Sequence, residues 1–398
     1  ILRKTPPRQA RHYERSAMIQ KGQKGMPAYA RSKGQGFWFR LMQRIHVDIP
    51  LLSGLLLLSL VGLVILYSAG GQSLEVLGRQ LVRLGLAFTV MIALAQVHPQ
   101  HLQRWAPFLF AIGVALLVAV LLVGDIGKGA QRWLEFGAFR FQPSEMMRIA
   151  VPMMVAWYLA ERNLPPPPLR LLVAAALTIV PVGMIAKQPD LGTSLLIASS
   201  GVFVLFLAGM RWRHIAVVGG LIGAFIPIAW SMMHDYQRQR VLTFIDPESD
   251  PLGSGYHIIQ SKIAIGSGGL YGKGWFNGTQ SYLDFIPERS TDFIFAVLSE
   301  EFGLIGIIVV LCIYLFIVMR GLYIASQAHD TFTRLLAGSL ILTFSVYIFV
   351  NIGMVTALLP VVGVPLPLIS YGGTSMVTVM ASFGILMSIH THRKLVPT

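Results

Sequence analysis

Long apolar runs recur along almost the whole chain, and they constrain its fold more than any other feature. A stretch of about 20 apolar residues can cross the roughly 30 Å hydrocarbon core of a bilayer as a helix. Such stretches lie at 50–69, 81–97, 106–124, 145–161, 169–187, 191–210, 214–233, 293–320, 333–359 and 372–390. The sequence therefore predicts an all-α polytopic membrane protein with about ten transmembrane helices.

Composition and charge agree with a membrane protein. Hydrophobic residues make up 54% of the chain and charged residues only 13%, which is unlike an ordinary soluble domain. The net charge of +14 would suggest nucleic acid in a soluble chain, but 11 of the 32 Lys and Arg precede the first apolar run. Many others flank later runs, as orientation signals and lipid contacts do. We therefore expect membrane lipids, and no nucleic acid, as partners.

The distribution of basic residues also predicts the organisation of the chain. Residues 1–44 are basic and polar, which is typical of a disordered cytoplasmic tail, and 45–398 form the membrane domain. An even number of spans returns the C-terminus to the cytoplasm. Two segments then lie outside: 125–144 and the longer 234–291, a large extracytoplasmic loop between helices 7 and 8.

Four carboxylates crowd the start of the eighth predicted helix, in PERSTDFIFAVLSEEFG. If Thr291 caps this helix, Asp292 and Glu300 share one small and polar stripe. Ionisable groups at membrane depth normally line a cavity or pair with one another. We predict that Asp292 is functional, that Glu288 assists it, and that Glu301 is structural; for Glu300, structural pairing and function remain equal alternatives.

Basic residues lie on the same predicted side as Asp292. Lys128, Arg132 and Arg140 belong to the first outside segment, and Arg148 lies one helical turn into the fourth span. Arginine matches phosphate oxygens in a bidentate manner, and lysine supplies a point charge. The pattern favours an anionic headgroup as ligand, although interfacial snorkelling explains Arg140 alone better than a functional role does.

Cofactor signals are weak. The glycine-rich loop at 246–275 fits neither the phosphate-binding loop nor the dinucleotide fingerprint. Asp246, Glu248 and Asp250 could hold a divalent cation such as Mg²⁺ or Mn²⁺, but acidic loops are common. No cofactor and no definite set of metal ligands is predicted.

A series of motifs runs through the chain in a fixed order and resembles one family. The motifs are KGAQRW (128–133), FQPSE (141–145), QPDLGTS (188–194), HDYQRQRV (234–241), DPESDPLGSGYHIIQSKIAIGSGGLYGKGW (246–275), PERSTDFIFAV (287–297), NIGMV (351–355) and PLPLISYGG (365–373). Together they resemble the SEDS (shape, elongation, division and sporulation) family, in its rod-shape branch rather than its division branch, over roughly residues 45–395.

The resemblance implies a ten-helix fold and a peptidoglycan glycosyltransferase that polymerises lipid II. It further implies the bacterial cytoplasmic (inner) membrane, a site on the outer face, and a class B penicillin-binding protein as transpeptidase partner. The essential acid of the family falls on Asp292, and further functional positions fall on Arg140, Glu145, Arg148 and Asp190. The candidate substrate-binding residues are Lys128, Arg132, Trp133, Arg140, Glu145, Arg148, Asp190, Glu288 and Glu300.

The implied reaction needs a base for the acceptor hydroxyl and positive charge for the pyrophosphate leaving group. Asp292 fits the base, and Arg148 fits the cation, although the family usually has Lys at that position. Arginine keeps the charge but cannot act as a neutral amine. Two alternatives remain: a lipid II flippase, and a scaffold that recruits wall-synthesis enzymes.

Overall fold

Helices built from the apolar runs form most of the protein. A computed structural model describes residues 46–392, apart from 128–129, 137–138, 162–163, 251–252, 284, 287 and several positions between 212 and 234. The predicted tail at 1–44 lies outside the described residues, as does part of the seventh predicted span at 214–233. The boundary between tail and membrane domain stays a prediction.

Most of the helices overlap the predicted spans, although some of their ends differ by several residues. The helices are α1 (Ile49–Ala69), α2 (Leu74–Ala95), α3 (Pro99–Val123), α4 (Pro143–Ala160), α5 (Pro168–Lys187), α6 (Leu191–Leu207), α7 (Asp235–Ile245), α8 (Ser254–Gly268), α9 (Thr279–Tyr282), α10 (Ile294–Ser326), α11 (Thr331–Val355) and α12 (Thr374–Thr391). Among the described residues, α1, α2, α3, α5, α10, α11 and α12 are long and apolar enough to span a membrane. The number ten stays a prediction.

The strands found among the described residues form one small antiparallel sheet in the first predicted outside segment. Its strands are β1 (Asp125–Gly127), β2 (Ala130–Phe136) and β3 (Phe139–Phe141), in the order β1-β2-β3. The sheet leads directly into α4. The all-α class still describes the fold, because every other described element is helical.

The start of α1 shows how one end of the bundle is fixed. Asp48 caps α1 and accepts a hydrogen bond from the Leu51 amide at 2.9 Å. Its carboxylate also accepts two hydrogen bonds from Arg320, at 3.0 and 2.6 Å, and one from His390, at 3.0 Å. Because Arg320 lies on α10 and His390 on α12, a single buried acid joins three helices.

The predicted start of the eighth helix is wrong by two residues. Thr291 is not its cap: α10 begins at Ile294, with Phe293 as the capping residue, so Asp292 lies in the preceding turn. Gly303 then interrupts α10 with a φ of 62°, a conformation that glycine adopts at little cost. Asp292 therefore does not share a helical face with the two glutamates, and the predicted stripe is not formed.

The long segment at 234–291 is more ordered than a plain loop. It contains α7, a 3₁₀ turn at Pro247–Ser249, α8 and α9. After α8 the chain pairs with the kink of α10, where the Leu304 amide donates to Gly269 O and the Lys273 amide donates to Glu300 O. The segment is therefore attached to α10 by backbone hydrogen bonds. Its location outside the membrane stays a prediction.

Candidate active site

A buried ion pair lies in the first turns of α4. Glu145 and Arg148 are three residues apart, which places them on one helix face, and Arg148 Nη1 lies 2.7 Å from Glu145 Oε2. Only 5% of Glu145 and 8% of Arg148 are exposed. The acid in the first turn also complements the positive end of the helix dipole. Arg148 lies in the second turn of α4, and its predicted role as a phosphate ligand stays a prediction.

Arg148 contacts residues on three further helices. Its Nη1 donates to Ser375 Oγ on α12 at 3.0 Å, and its Nη2 donates to Thr193 Oγ1 on α6 at 3.1 Å. The guanidinium also lies 5.1 Å from the ring centroid of Tyr347 on α11, within cation–π range. Arg148 Nε finds no acceptor among the described residues. We call this end of the bundle, at which α4, α6 and α12 begin, the site end.

The turn that carries Asp292 is fixed from its backbone. Asn351 Nδ2 donates to Asp292 O at 2.9 Å and to Val364 O at 2.7 Å. Ser370 Oγ donates to Thr291 O at 2.7 Å. A Cβ built on Gly363, where φ is 71°, would lie 3.5 Å from Asp292 Oδ2. The carboxylate is therefore positioned close to the backbone of the segment that follows α11.

Helix α11 brings the acid and the cation to one region. Tyr347 contacts Arg148, and Asn351, four residues later, holds the backbone of Asp292. Residues four apart lie on one helix face about one turn, or roughly 5.4 Å, apart. Asp292 and Arg148 are thus bound to neighbouring turns of the same helix. Sequence reasoning placed both on the same side but had no signal for Tyr347 as the link.

Asp190 has a structural position close to the ion pair. It caps α6 through a hydrogen bond from the Thr193 amide at 3.2 Å, and its other oxygen accepts from Gln142 Nε2 at 3.0 Å. Arg132 donates to the carbonyls of Gln188, at 3.3 Å, and of Pro189. The prediction of Arg132 as a phosphate ligand is not supported by these contacts, because its guanidinium is engaged with the turn that precedes Asp190.

Glu300 is enclosed by the segment that follows α8. Its Oε1 accepts hydrogen bonds from Lys273 Nζ at 2.8 Å, the Gln280 amide at 2.9 Å and Thr279 Oγ1 at 3.1 Å, and its side chain is fully buried. The prediction that Glu300 extends the Asp292 stripe is wrong, because its carboxylate faces this segment. Glu301 accepts a hydrogen bond from Ser68 on α1, as the structural reading of Glu301 expected.

The structure describes some, but not all, of the remaining candidate substrate-binding residues. Glu288 is exposed, with a φ of 53°, and accepts a hydrogen bond from Thr291 Oγ1 at 2.9 Å. Trp133 is half-buried in β2. Arg140 lies in β3 opposite Glu135, and its side chain lies outside the described residues, as does Lys128. Their substrate-binding roles stay predictions.

A large groove opens beside the ion pair. Its volume is about 580 Å³, and apolar side chains from α2, α3, α4 and α12 form most of its wall. Glu145, Thr374 and Arg83 are among its few polar residues. Sequence reasoning missed Arg83; the available signal was a basic residue inside the second apolar run. Among the described residues, no three His, Cys, Asp or Glu side chains converge as metal ligands would.

These features define an integral membrane protein of the helix-bundle class, with a carboxylate and a buried ion pair at one end of the bundle and an apolar groove beside them. Residues 43–395 match the cell cycle protein family FTSW_RODA_SPOVE. The chain belongs to this family, and the predicted SEDS resemblance is confirmed.

Similar proteins support the same assignment. Peptidoglycan glycosyltransferase MrdB of Escherichia coli (strain K12) is 55% identical over 361 residues, covering 90% of this chain and 96% of MrdB. A solved structure titled "Structural coordination of polymerization and crosslinking by a peptidoglycan synthase complex" has 33% identity and a TM-score of 0.77, covering 88% of this chain and 99% of that one. The crystal structure of rod shape determining protein RodA from Thermus thermophilus has 28% identity and a TM-score of 0.66, covering 87% and 98%. The predicted fold class and rod-shape branch are confirmed.

Proposed function

We propose that this chain is a peptidoglycan glycosyltransferase that polymerises lipid II, with Asp292 as its general base. The observation that carries the proposal is the position of Asp292, which is fixed by Asn351 one helical turn from the residue that contacts Arg148. The name of the 55% identical relative, MrdB, describes the same activity. The apolar groove beside the ion pair suits the polyprenyl chain of such a lipid.

The chemistry assigns one task to each charged group. The acceptor hydroxyl attacks the anomeric carbon of the donor sugar, and Asp292 accepts the hydroxyl proton as the new glycosidic bond forms. The bond between that carbon and the pyrophosphate breaks, and polyprenyl pyrophosphate leaves with the electron pair. Arg148 contributes positive charge near the leaving group. Glu145 fixes the direction of Arg148, so that its guanidinium needs no rearrangement during the reaction.

The proposal includes an orientation and a partner. Lipid II presents its disaccharide outside the cell, so the site end faces outward and both termini face the cytoplasm, as the positive-inside pattern favours. A class B penicillin-binding protein acts as transpeptidase on the product. The similarity to a synthase complex that couples polymerization and crosslinking supports this partner.

A lipid II flippase is the second candidate. A flippase needs polar groups along a path across the bilayer, because a charged headgroup is costly to move through hydrocarbon. In the groove, however, the residues far from the site end are apolar: Leu94, Leu102, Met153 and Ile385. The charged residues that line the groove, Arg83 and Glu145, lie near the site end, which favours the enzyme over the transporter.

A reconstituted polymerisation assay tests the proposal. The full chain is purified in detergent and incubated with labelled lipid II, with and without a class B penicillin-binding protein, and the products are separated by gel electrophoresis. We expect glycan strands that lysozyme degrades. A preparation from cells without the chain controls for contaminating polymerases. Translocation of lipid II across vesicles without any polymer would favour the flippase, and activity in neither assay would favour the scaffold.

A further inference from the structure

Arg83 is a cation in an unusual position on α2. It lies nine residues after Leu74, the first residue of this membrane-spanning helix, which corresponds to about 13 Å along the axis. Its neighbours on the outer surface of the helix, Val82 and Leu86, are 75% and 57% exposed, as lipid-facing residues are. An arginine inside a membrane-spanning helix normally faces a cavity, a pathway or an anionic group.

The contacts of Arg83 leave its hydrogen-bond donors available. The guanidinium carbon lies 4.4 Å from the ring centroid of Tyr371, so that the aromatic ring covers one face of the cation. The N–H groups of arginine lie in the plane of the guanidinium, at its edge. Among the residues that the structure describes, no carboxylate pairs with Arg83 and none accepts a hydrogen bond from it.

The groove continues from Arg83 as an apolar channel. Arg83, Thr374 and Glu145 line it near the site end, and Leu94 and Ile385 line it toward the opposite ends of α2 and α12. The charge of Glu145 is compensated by Arg148 at 2.7 Å. Among the described residues that line the groove, Arg83 therefore carries the remaining uncompensated charge. A cation beside a long apolar groove matches a ligand with an anionic head and a hydrocarbon tail.

The mouth of the groove also adjoins the reacting carboxylate. The Tyr371 amide donates to Ser290 O at 2.8 Å, two residues before Asp292. Gln80 Nε2, one turn before Arg83 on α2, donates to Ser370 O at 3.3 Å. The aromatic ring that orients Arg83 therefore belongs to the segment that fixes the turn of Asp292.

We propose that Arg83, oriented by Tyr371, binds the phosphate of a polyprenyl phosphate lipid whose chain occupies the groove; the assignment to this lipid class rests on the proposed function. The guanidinium offers two parallel N–H groups to phosphate oxygens, which lysine cannot do. Arg83 is thus a binding residue separate from the Glu145–Arg148 pair, and it lies on α2 rather than on α4.

Equilibrium binding to the full chain in nanodiscs tests this site. The probes are polyprenyl monophosphate, the uncharged polyprenol of the same length, and the anionic phospholipid phosphatidylglycerol, each measured by native mass spectrometry. We expect Arg83→Gln to weaken polyprenyl phosphate binding about tenfold or more, since a hydrogen bond to a charged group is lost, with polyprenol unchanged. Arg83→Lys should recover only part of the loss.

Arg104→Gln is the matched control, because Arg104 is exposed near the start of α3 and lies outside the groove lining. Unchanged polyprenyl phosphate affinity in Arg83→Gln would overturn the site. An equal loss for phosphatidylglycerol would overturn it too, because Arg83 would then be a general headgroup anchor. The binding assay needs no turnover: loss of affinity in Arg83→Gln is measurable even if the chain makes no glycan, and glycan synthesis stands even if Arg83 has no effect.

Discussion

Arg148 shows how much a single buried charge depends on its neighbours. It is 8% exposed, pairs with Glu145, and donates to Ser375 and Thr193 on two other helices. Removing one partner of a buried ion pair leaves the other charge without compensation in a poorly solvated place. The pair therefore links the reaction to the stability of the site end.

The ion pair gives a prediction about stability. Arg148→Gln should lower the free energy of unfolding by about 3–5 kcal/mol, because Glu145 stays buried without its cation. Glu145→Gln combined with Arg148→Gln should be less harmful than the sum of the two single changes. Denaturant titration in mixed micelles measures the cycle, with Arg104→Gln as exposed control. Strict additivity would show that the two charges do not interact.

The chemistry of individual residues was more predictable than their partners. The cost of charge in a membrane singles out Asp292 and Arg148 in the sequence alone. The sequence did not indicate the partners of Arg132 and Glu300, because these contacts lie 56 and 27 residues away along the chain. Long-range pairing of this kind leaves no local pattern. Only the folded chain shows which charges are already engaged.

At the level of helices, the sequence predicted where most helices lie but not where each of them begins and ends. Hydrocarbon thickness sets the length of a spanning helix, so the apolar runs coincide closely with both ends of α1 and α5 and with the C-terminal end of α3. Helix α2 begins at Leu74, seven residues before the predicted 81, because the exposed charged residues Glu75 and Arg79 interrupt the apolar run but not the helix. That difference places Arg83 inside the helix rather than at its end. Caps and kinks depend on tertiary contacts that apolar periodicity does not report.

The junction of α1, α10 and α12 at Asp48 gives a prediction about pH. Burial raises the pKa of Asp48, but hydrogen bonds from His390 and Arg320 outweigh it and hold the pKa well below its ordinary value. The ionised carboxylate therefore stabilises the fold above pH of about 4, the pKa in the unfolded chain, and this stabilisation is lost as the pH falls toward the folded-state pKa.

Asp48→Asn should accordingly lower the thermal midpoint at pH 6, with a difference from the wild-type chain that shrinks as the pH is lowered toward 3. Thermal unfolding in detergent, followed at several pH values, measures this difference. Asp330→Asn is the control, since Asp330 is exposed and its side chain makes no cap hydrogen bond to α11. A difference that stays constant with pH would mean that ionisation of Asp48 contributes nothing.

On the scale of the whole molecule, polar chemistry is concentrated where several helices begin. The starts of α4, α6 and α12 meet at Arg148, and the turn before α10 carries Asp292 nearby. The rest of the bundle supplies an apolar groove beside this region. Such an arrangement lets the tail of a lipid stay in the membrane while its head reacts at the surface. The motif order predicted this assembly through family resemblance, whereas periodicity alone predicted only the bundle.

The most direct test of this account is the polymerisation rate of Asp292→Asn, measured with labelled lipid II on purified, folded protein beside Asp330→Asn. Asparagine keeps the size of the side chain but cannot accept the hydroxyl proton as a carboxylate does. We expect the Asp292 variant to lose at least about 100-fold in rate, with its thermal midpoint unchanged and Asp330→Asn as active as the wild-type chain. Glycan synthesis at a near wild-type rate by folded Asp292→Asn would contradict the role of Asp292 as general base.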